Sequence, residues 1–304
     1  MKLNSEKGFS LLEMLISLVI LLIASGTAFY ALAYYQRSYG SSQLRADMHM
    51  GVRAALELMA QEVNQAGLLP FGPPRKLSAA VSPSPTAQLV QVTAGGVPNV
   101  SSIFVNEKLT IDTGSNQEDV KVTAVNTATS QITAIFTKAH PANAPVNAFG
   151  LFPQGIRSTS PNPSNSTVLK IFGDINGDNT IAYVEYECSG GTLTRKEWQI
   201  PSFDVSPAAR VLVRTGTLVK DVIVDPTPCF QYTTATASGA TFVTSVTVTL
   251  SVQTADKDPF TKQRVSMTKS SLNLSPRNLL TGLDLAQAGF TGRLQLTPST
   301  SPAL

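Results

Sequence analysis

Charge is scarce in this chain. Charged residues fill 14% of its 304 positions, against roughly 25% in an average soluble domain. The net charge is +3, and Lys and Arg are scattered rather than clustered, so the basic stripe of a nucleic-acid-binding surface is missing. Histidine is limited to His49 and His140. Neither belongs to a His-Glu-x-x-His string, and there is no Gly-x-Ser-x-Gly elbow and no phosphate-binding glycine loop followed by Lys. With these signatures absent, the chain is expected not to be an enzyme and not to bind nucleic acid. Thr, Ser, Val and Ala take the place of charge, which is the palette of half-exposed β-structure.

What the sequence has is one long apolar run near its start. Met1 to Gly8 is polar and net basic through Lys2 and Lys7 against Glu6. From Phe9 to about Tyr35 the chain is then apolar on all sides. At about 1.5 Å per helical residue this stretch can cross a hydrocarbon core of about 30 Å. Basic residues before the run and a large domain after it follow the positive-inside rule. Glu13 interrupts the pattern, because an unpaired carboxylate in lipid costs on the order of 3 kcal/mol. A plain anchor explains the length of the run but not Glu13. A secretory signal cut after Gly26, at Ala24-Ser25-Gly26, leaves Glu13 unexplained too, and the apolar pattern continues through Phe29 and Leu32.

The string Lys7-Gly8-Phe9-Ser10-Leu11-Leu12-Glu13 resembles the processing site of type IV prepilins and type II secretion pseudopilins. That resemblance implies cleavage between Gly8 and Phe9 by a prepilin peptidase, with N-methylation of Phe9. It makes Glu13 the fifth residue of the mature chain, paired during assembly with the Phe9 amine of a neighbouring subunit. The implied partners are the peptidase, other major and minor pilins, inner-membrane lipid and the pilus assembly platform. The implied location is the bacterial inner membrane, single-pass with a periplasmic C-terminal head, and then a pilus or pseudopilus at the cell surface.

Beyond the span, Leu44, Met48, Val52, Ala55, Met59, Val63 and Ala66 recur every three or four residues, a stripe on a continuous helix. Gly67 suits its C-terminal cap, and Pro70 blocks resumption. Residues 70–86 are rich in Pro and Ser and read as a linker. Period-two patterns follow, at Leu109-Ile111, Val120-Val122, Ile132-Ala134-Phe136 and Val246-Val248-Leu250-Val252. The expected fold is α+β: a long N-terminal helix, membrane-spanning in its first half, packed on a mostly antiparallel β-sheet head. Residues 87–157 form either a small inserted β-module or ordinary strands of one large sheet. Residues 158–280 read as the C-terminal β-sheet head, with 281–304 as a flexible tail.

Within that last region, GDINGDNTIAYVEYE, GGTLTRK, LVKDVIVD and SLNLSPRN, with the helix end Met59 to Gly67, resemble PilW-type minor pilins and J-type pseudopilins. The functions this implies are a minor pilin of a type IV pilus or, alternatively, a type II secretion pseudopilin. An exported binding or adhesion protein with a simple membrane anchor is the rival from another class. In an exported chain Cys188 and Cys229 most simply form one disulfide, the alternative being two buried thiols. Asp174, Asn176, Asp178 and Glu185 have the offsets of positions one, three, five and twelve in a calcium loop. Asn179 stands where such a loop needs Gly, and Ile181-Tyr183 alternation favours a strand, so a hairpin built on Asn176-Gly177 competes with the Ca2+ reading. No other cofactor is expected.

Overall fold

The computed structural model describes residues 10–70, 72–159, 162–200, 211–224 and 228–296. Gly8 and Phe9 therefore lie outside the described residues. The chain divides into two compact units, residues 1–50 with 253–266 and residues 51–252 with 267–304.

Helix α1, Leu11–Gln65, is continuous and contributes to both units. Its apolar part contains the one candidate membrane span among the described residues, and the side chains of Leu11 to Leu22 are exposed. Its last turns belong to the second unit. There Val52, Ala55, Leu56, Met59 and Val63 are buried at intervals of three and four, so one face of the helix serves as a wall of the core. Gly67 stops the helix. It adopts φ +78°, and a Cβ there would stand 2.7 Å from the Phe152 carbonyl oxygen, so a side chain is refused on conformation and on space.

In the second unit the first β-structure is a closed antiparallel barrel. Its strands are β1 (Arg75–Leu77), β2 (Gln88–Ala94), β4 (Lys108–Ile111), β5 (Glu118–Asn126), β6 (Gln131–Ala134) and β7 (Pro145–Ala148), with β3 (Val97–Pro98) hung on β2. The order β1-β7-β4-β5-β6-β2 closes because β2 also pairs with β1, at Arg75–Ala94 through Leu77–Val92. Alternation places Leu77, Val90, Val92, Leu109, Val120, Val122, Ile132 and Val146 together in one buried cluster. Residues 75–148 thus have a core of their own rather than a share in one large sheet. The expected linker 70–86 is corrected here: it contains β1, which completes the closure. Three residues flanked by Pro73-Pro74 and by Ser78 are too short a strand to show a period.

The second β-structure is a sheet ordered β11-β10-β9-β8, formed by β8 (Val168–Gly173), β9 (Ile181–Ser189), β10 (Thr192–Ile200) and β11 (Val211–Lys220). The third is built on β14 (Ala240–Gln253), which pairs with β12 (Val222–Ile223), β13 (Phe230–Ala237) and β15 (Ser266–Leu274). Cys188 near the end of β9 and Cys229 just before β13 are disulfide-bonded, so the two sheets are cross-linked. Closing a loop with a sequence separation of 41 removes about 4 kcal/mol of chain entropy from the unfolded state.

The expected flexible tail, 281–304, is corrected as far as residue 296, and residues 297–304 lie outside the described residues. Helix α2, Arg277–Gln287, follows Pro276 and buries Leu279, Gly282, Leu283 and Ala286 on one face. A Cβ on Gly282 would come within 2.3 Å of a Leu151 methyl, so the glycine is what lets Leu151 lie against the helix. After α2 the chain is stitched onto the barrel side of the unit. The Leu151 N–H donates to the Arg293 carbonyl, and the Gln295 N–H donates to the Leu151 carbonyl. The fully buried Gln295 amide accepts from the Lys108 N–H and donates to the Lys108 and Phe149 carbonyls. The helical stripe begins at Leu279, before the expected tail starts at 281, and the stitch depends on hydrogen bonds that leave no hydropathy pattern.

Candidate functional site: the helix start and the helix dock

At the start of α1, Ser10 and Glu13 form a reciprocal capping box. The Ser10 N–H donates to Glu13 Oε2 at 3.0 Å, and Ser10 Oγ accepts from the Leu12 N–H at 3.3 Å. The Glu13 side chain thus satisfies one of the orphan donors that every helix leaves at its N-terminus. It also places negative charge where the helix dipole favours it. Further along, the Ser17 hydroxyl donates to the Glu13 carbonyl at 2.6 Å and the Thr27 hydroxyl to the Ala24 carbonyl at 2.8 Å. These two hydroxyls are therefore satisfied within the helix, as a hydrocarbon surrounding would demand.

Residues 3–29 match the family model described as the prokaryotic N-terminal methylation motif. No curated protein matches the chain in sequence. Its N-terminus is prepilin-like. The matched stretch includes Gly8, Phe9 and Glu13, and it runs into the apolar helix that the fold leaves bare. A prepilin-like N-terminus implies a chain made as a substrate for cleavage and methylation.

Behind this N-terminus, the second feature with concentrated chemistry is the dock between the end of α1 and the β8–β11 sheet. Glu62 is buried on the helix face that carries Met59 and Ala66. Arg195 on β10 meets it with two nitrogens, Nη2 to Oε1 at 2.6 Å and Nε to Oε1 at 3.0 Å. The same guanidinium donates through Nη1 to Glu197 Oε2 at 2.7 Å. The Tyr186 hydroxyl donates to Glu62, and Asn176 Nδ2 donates to Glu197 Oε1 at 2.8 Å. Burial alone would make the Arg195 guanidinium easier to deprotonate, but its bonds to Glu62 and Glu197 outweigh burial and raise its pKa. Burial likewise works against ionised Glu197, yet hydrogen bonds from Asn176 and Arg195 and the charge of Arg214 hold its pKa below the ordinary value. The Tyr186 pKa rises, first from burial and then from the Glu62 carboxylate. Beside the network lies a cavity of about 490 Å³ lined by Leu58, Gln61 and Gln65 of α1 and by Arg214 and Leu218 of β11. This dock was missed in the sequence, although the signal was there. Glu62 keeps step with Met59 and Ala66, and Arg195 and Glu197 alternate in phase with Leu193 on β10.

The calcium candidates do not converge. Among the described residues no group of three or more His, Cys, Asp or Glu side chains is arranged to hold a metal ion. Asp174 accepts from the N–H groups of Asp178 and Asn179, both at 3.1 Å, and so closes the β8–β9 turn. Asp178 accepts from the Thr180 N–H, Asn176 belongs to the dock, and Glu185 accepts from the Tyr183 hydroxyl within β9. The connection is a hairpin in which Asn179 (φ +62°) and Gly177 (φ +67°) supply the left-handed positions. The two histidines also fall to structural positions. His49 lies on α1, and His140 is buried between Glu118 (Nε2 to Oε1 2.6 Å) and Asp112 (Nδ1 to Oδ2 3.3 Å).

Proposed function

We propose that the chain is a minor pilin of a type IV pilus, a structural subunit that is itself the substrate of prepilin peptidase. The match of residues 3–29 to the methylation motif, running directly into an exposed apolar helix, carries this reading. Cleavage between Gly8 and Phe9 leaves a methylated Phe9 amine four residues before Glu13. In the unassembled subunit Glu13 is held by its own Ser10 N–H. On assembly the carboxylate trades that neutral donor for the cationic amine of a neighbour, a stronger charge-assisted bond. The exchange sets the axial register of the incoming helix. Apolar faces then pack helix on helix, where lipid gives no hydrophobic drive and close fit decides. The head is carried outward on the exported side, and the subunit needs no cofactor.

The test is mass spectrometry of the N-terminus of protein recovered from membranes. N-methyl-Phe9 is expected, whereas an intact Met1 or a start at Thr27 would overturn the reading. Deletion of the gene should abolish or shorten pili. Loss of protein secretion with pili intact would instead assign the subunit to a secretion pseudopilus.

A further inference from the structure

The first unit contains, besides the apolar part of α1, the hairpin that joins β14 to β15. Its base is tied by the Thr254 N–H to the Val265 carbonyl at 2.8 Å. Its turn is organised by Asp258, whose buried carboxylate accepts from the Phe260 and Thr261 N–H groups at 2.8 and 3.0 Å. The same carboxylate takes the Ser41 hydroxyl of α1 and lies 3.7 Å from the Arg45 guanidinium. The Ser41 hydroxyl, the two backbone N–H groups and Arg45 together bring the Asp258 pKa down to about 2. The hairpin is thus latched to the helix by an acceptor that stays ionised at any ordinary pH. At its tip Phe260 packs edge-on against Tyr34, with ring centres 5.6 Å apart. Even so, Phe260 remains 46% exposed and Tyr34 52%.

The position of this contact along α1 is what gives it meaning. From Leu11 to Tyr34 the helix rises roughly 35 Å. A hydrocarbon core is about 30 Å thick and a bilayer with its headgroups about 40–45 Å. If Leu11 enters the hydrocarbon at one face, Tyr34 and the Phe260 ring stand in the headgroup layer of the other. Tyr30, Tyr35 and Tyr39 are exposed around them, the aromatic enrichment that marks a membrane–water boundary. The rest of the hairpin is mostly polar and bears exposed Lys257 and Lys262 against one exposed carboxylate, Asp256. Asp258 is already matched by its own partners.

We propose that the hairpin of residues 253–266 rests on the bilayer surface where the helix leaves it. Phe260 would sit at the level of the lipid headgroups, and Lys257 and Lys262 would face anionic headgroups. The inference rests on the reading of α1 as a membrane span. Its occupant is lipid rather than a partner subunit, because the exposed aromatic ring lies beside the tyrosine belt at the depth where a bilayer ends.

The experiment uses the full chain reconstituted into vesicles, either of phosphatidylcholine alone or with about 30% phosphatidylglycerol. A tryptophan is introduced as Phe260→Trp or, deep in the span, as Leu18→Trp, and the parent chain with Trp198 supplies the baseline. Lipids brominated near the headgroup should quench the emission added by Phe260→Trp strongly, while lipids brominated deep in the acyl chain should quench it less. Leu18→Trp should show the reverse order. The quenching at position 260 should be greater with phosphatidylglycerol, and Lys257→Glu with Lys262→Glu should remove that difference. Quenching of Leu18→Trp without any quenching at 260 would overturn the inference and leave the span intact. Emission at 260 that becomes shielded only when other pilins co-assemble would overturn it in favour of a protein partner. An unquenched Leu18→Trp would overturn the span itself.

Discussion

The barrel and the β8–β11 sheet stand next to one another in sequence and solve the same problem by opposite means. The barrel closes on itself, so its six strands have no free edge among themselves, and its interior is mostly aliphatic, with Phe136 among the buried side chains. The sheet does not close. Among the described strands β11 is paired on one side only, by β10, and Val211, Leu212 and Val213 are about half exposed on it. What completes the sheet is the end of α1, fixed by buried charge at Glu62, Arg195 and Glu197. A structure that supplies its own walls can rest mainly on transfer free energy. One that borrows a wall from a distant helix needs an interaction that recognises a single docking pose. A paired and hydrogen-bonded charge does so, because any other pose leaves it unmatched.

Replacing Arg195 with Met should break this contrast most severely. Two buried carboxylates then lose their partner, and stability measured by urea unfolding should fall by roughly 3–5 kcal/mol. Replacing Glu62, Arg195 and Glu197 together with apolar residues should recover much of that loss. On the barrel side, Leu109→Ala opens a hole in a fully buried layer. It should cost roughly 3 kcal/mol, with hydrogen-exchange protection falling in β1, β2 and β4–β7 before it falls in β9 and β10.

Acid and base should sharpen the comparison, because the two regions respond in opposite directions. Glu107, just before β4, is almost wholly buried. Burial outweighs both the Phe104 N–H and Arg75 and raises its pKa from 4.5 to about 8. The folded state therefore holds this proton more tightly than the unfolded one, so its stability contribution is full below pH 4.5. It declines as pH rises from there to about 8. Glu197 has a depressed pKa, so its contribution is present above the ordinary carboxylate value and is lost as pH falls through the depressed one. Glu107→Gln should thus gain on the parent between pH 5 and pH 8, by about 1.4 kcal/mol for each pH unit, while Glu197→Gln should flatten the acid limb instead. The smallest effect is expected at the seam. Gln295→Ala leaves Lys108 and Phe149 backbone groups without a partner and should cost roughly 1–2 kcal/mol, read as a lower thermal midpoint.

The parts of the fold that were legible in sequence are those that repeat. The α1 stripe from Val52 to Ala66, the stop at Gly67 and the alternation in β4, β5, β6 and β14 all follow periods that burial imposes. Closure of the barrel was not legible, because it turns on three residues between the Pro73-Pro74 pair and Ser78, too few to show a period. The dock was missed for a different reason. Glu62, Arg195 and Glu197 are each ordinary surface residues by type, and their positions give them away only when read in phase with apolar neighbours. At the N-terminus the sequence pointed to Glu13 as an anomaly in lipid. The structure adds that this carboxylate already has local work to do at the helix start, so the proposed pairing with another subunit would be an exchange rather than a rescue.

The Gln295 stitch has a consequence for the chain as it is made. Barrel strands β1 to β7 come from one stretch of 74 residues, Arg75 to Ala148, and can pair as soon as that stretch is available. The open sheet must find a helix synthesised more than a hundred residues earlier, Glu62 against Arg195. The amide that locks Lys108 and Phe149 in place is translated only after every strand of the head. A ribosome that stalls after β15 would release a chain with all three β-structures present and the C-terminal segment not yet stitched to the barrel. Quality control could read completeness in that one buried amide.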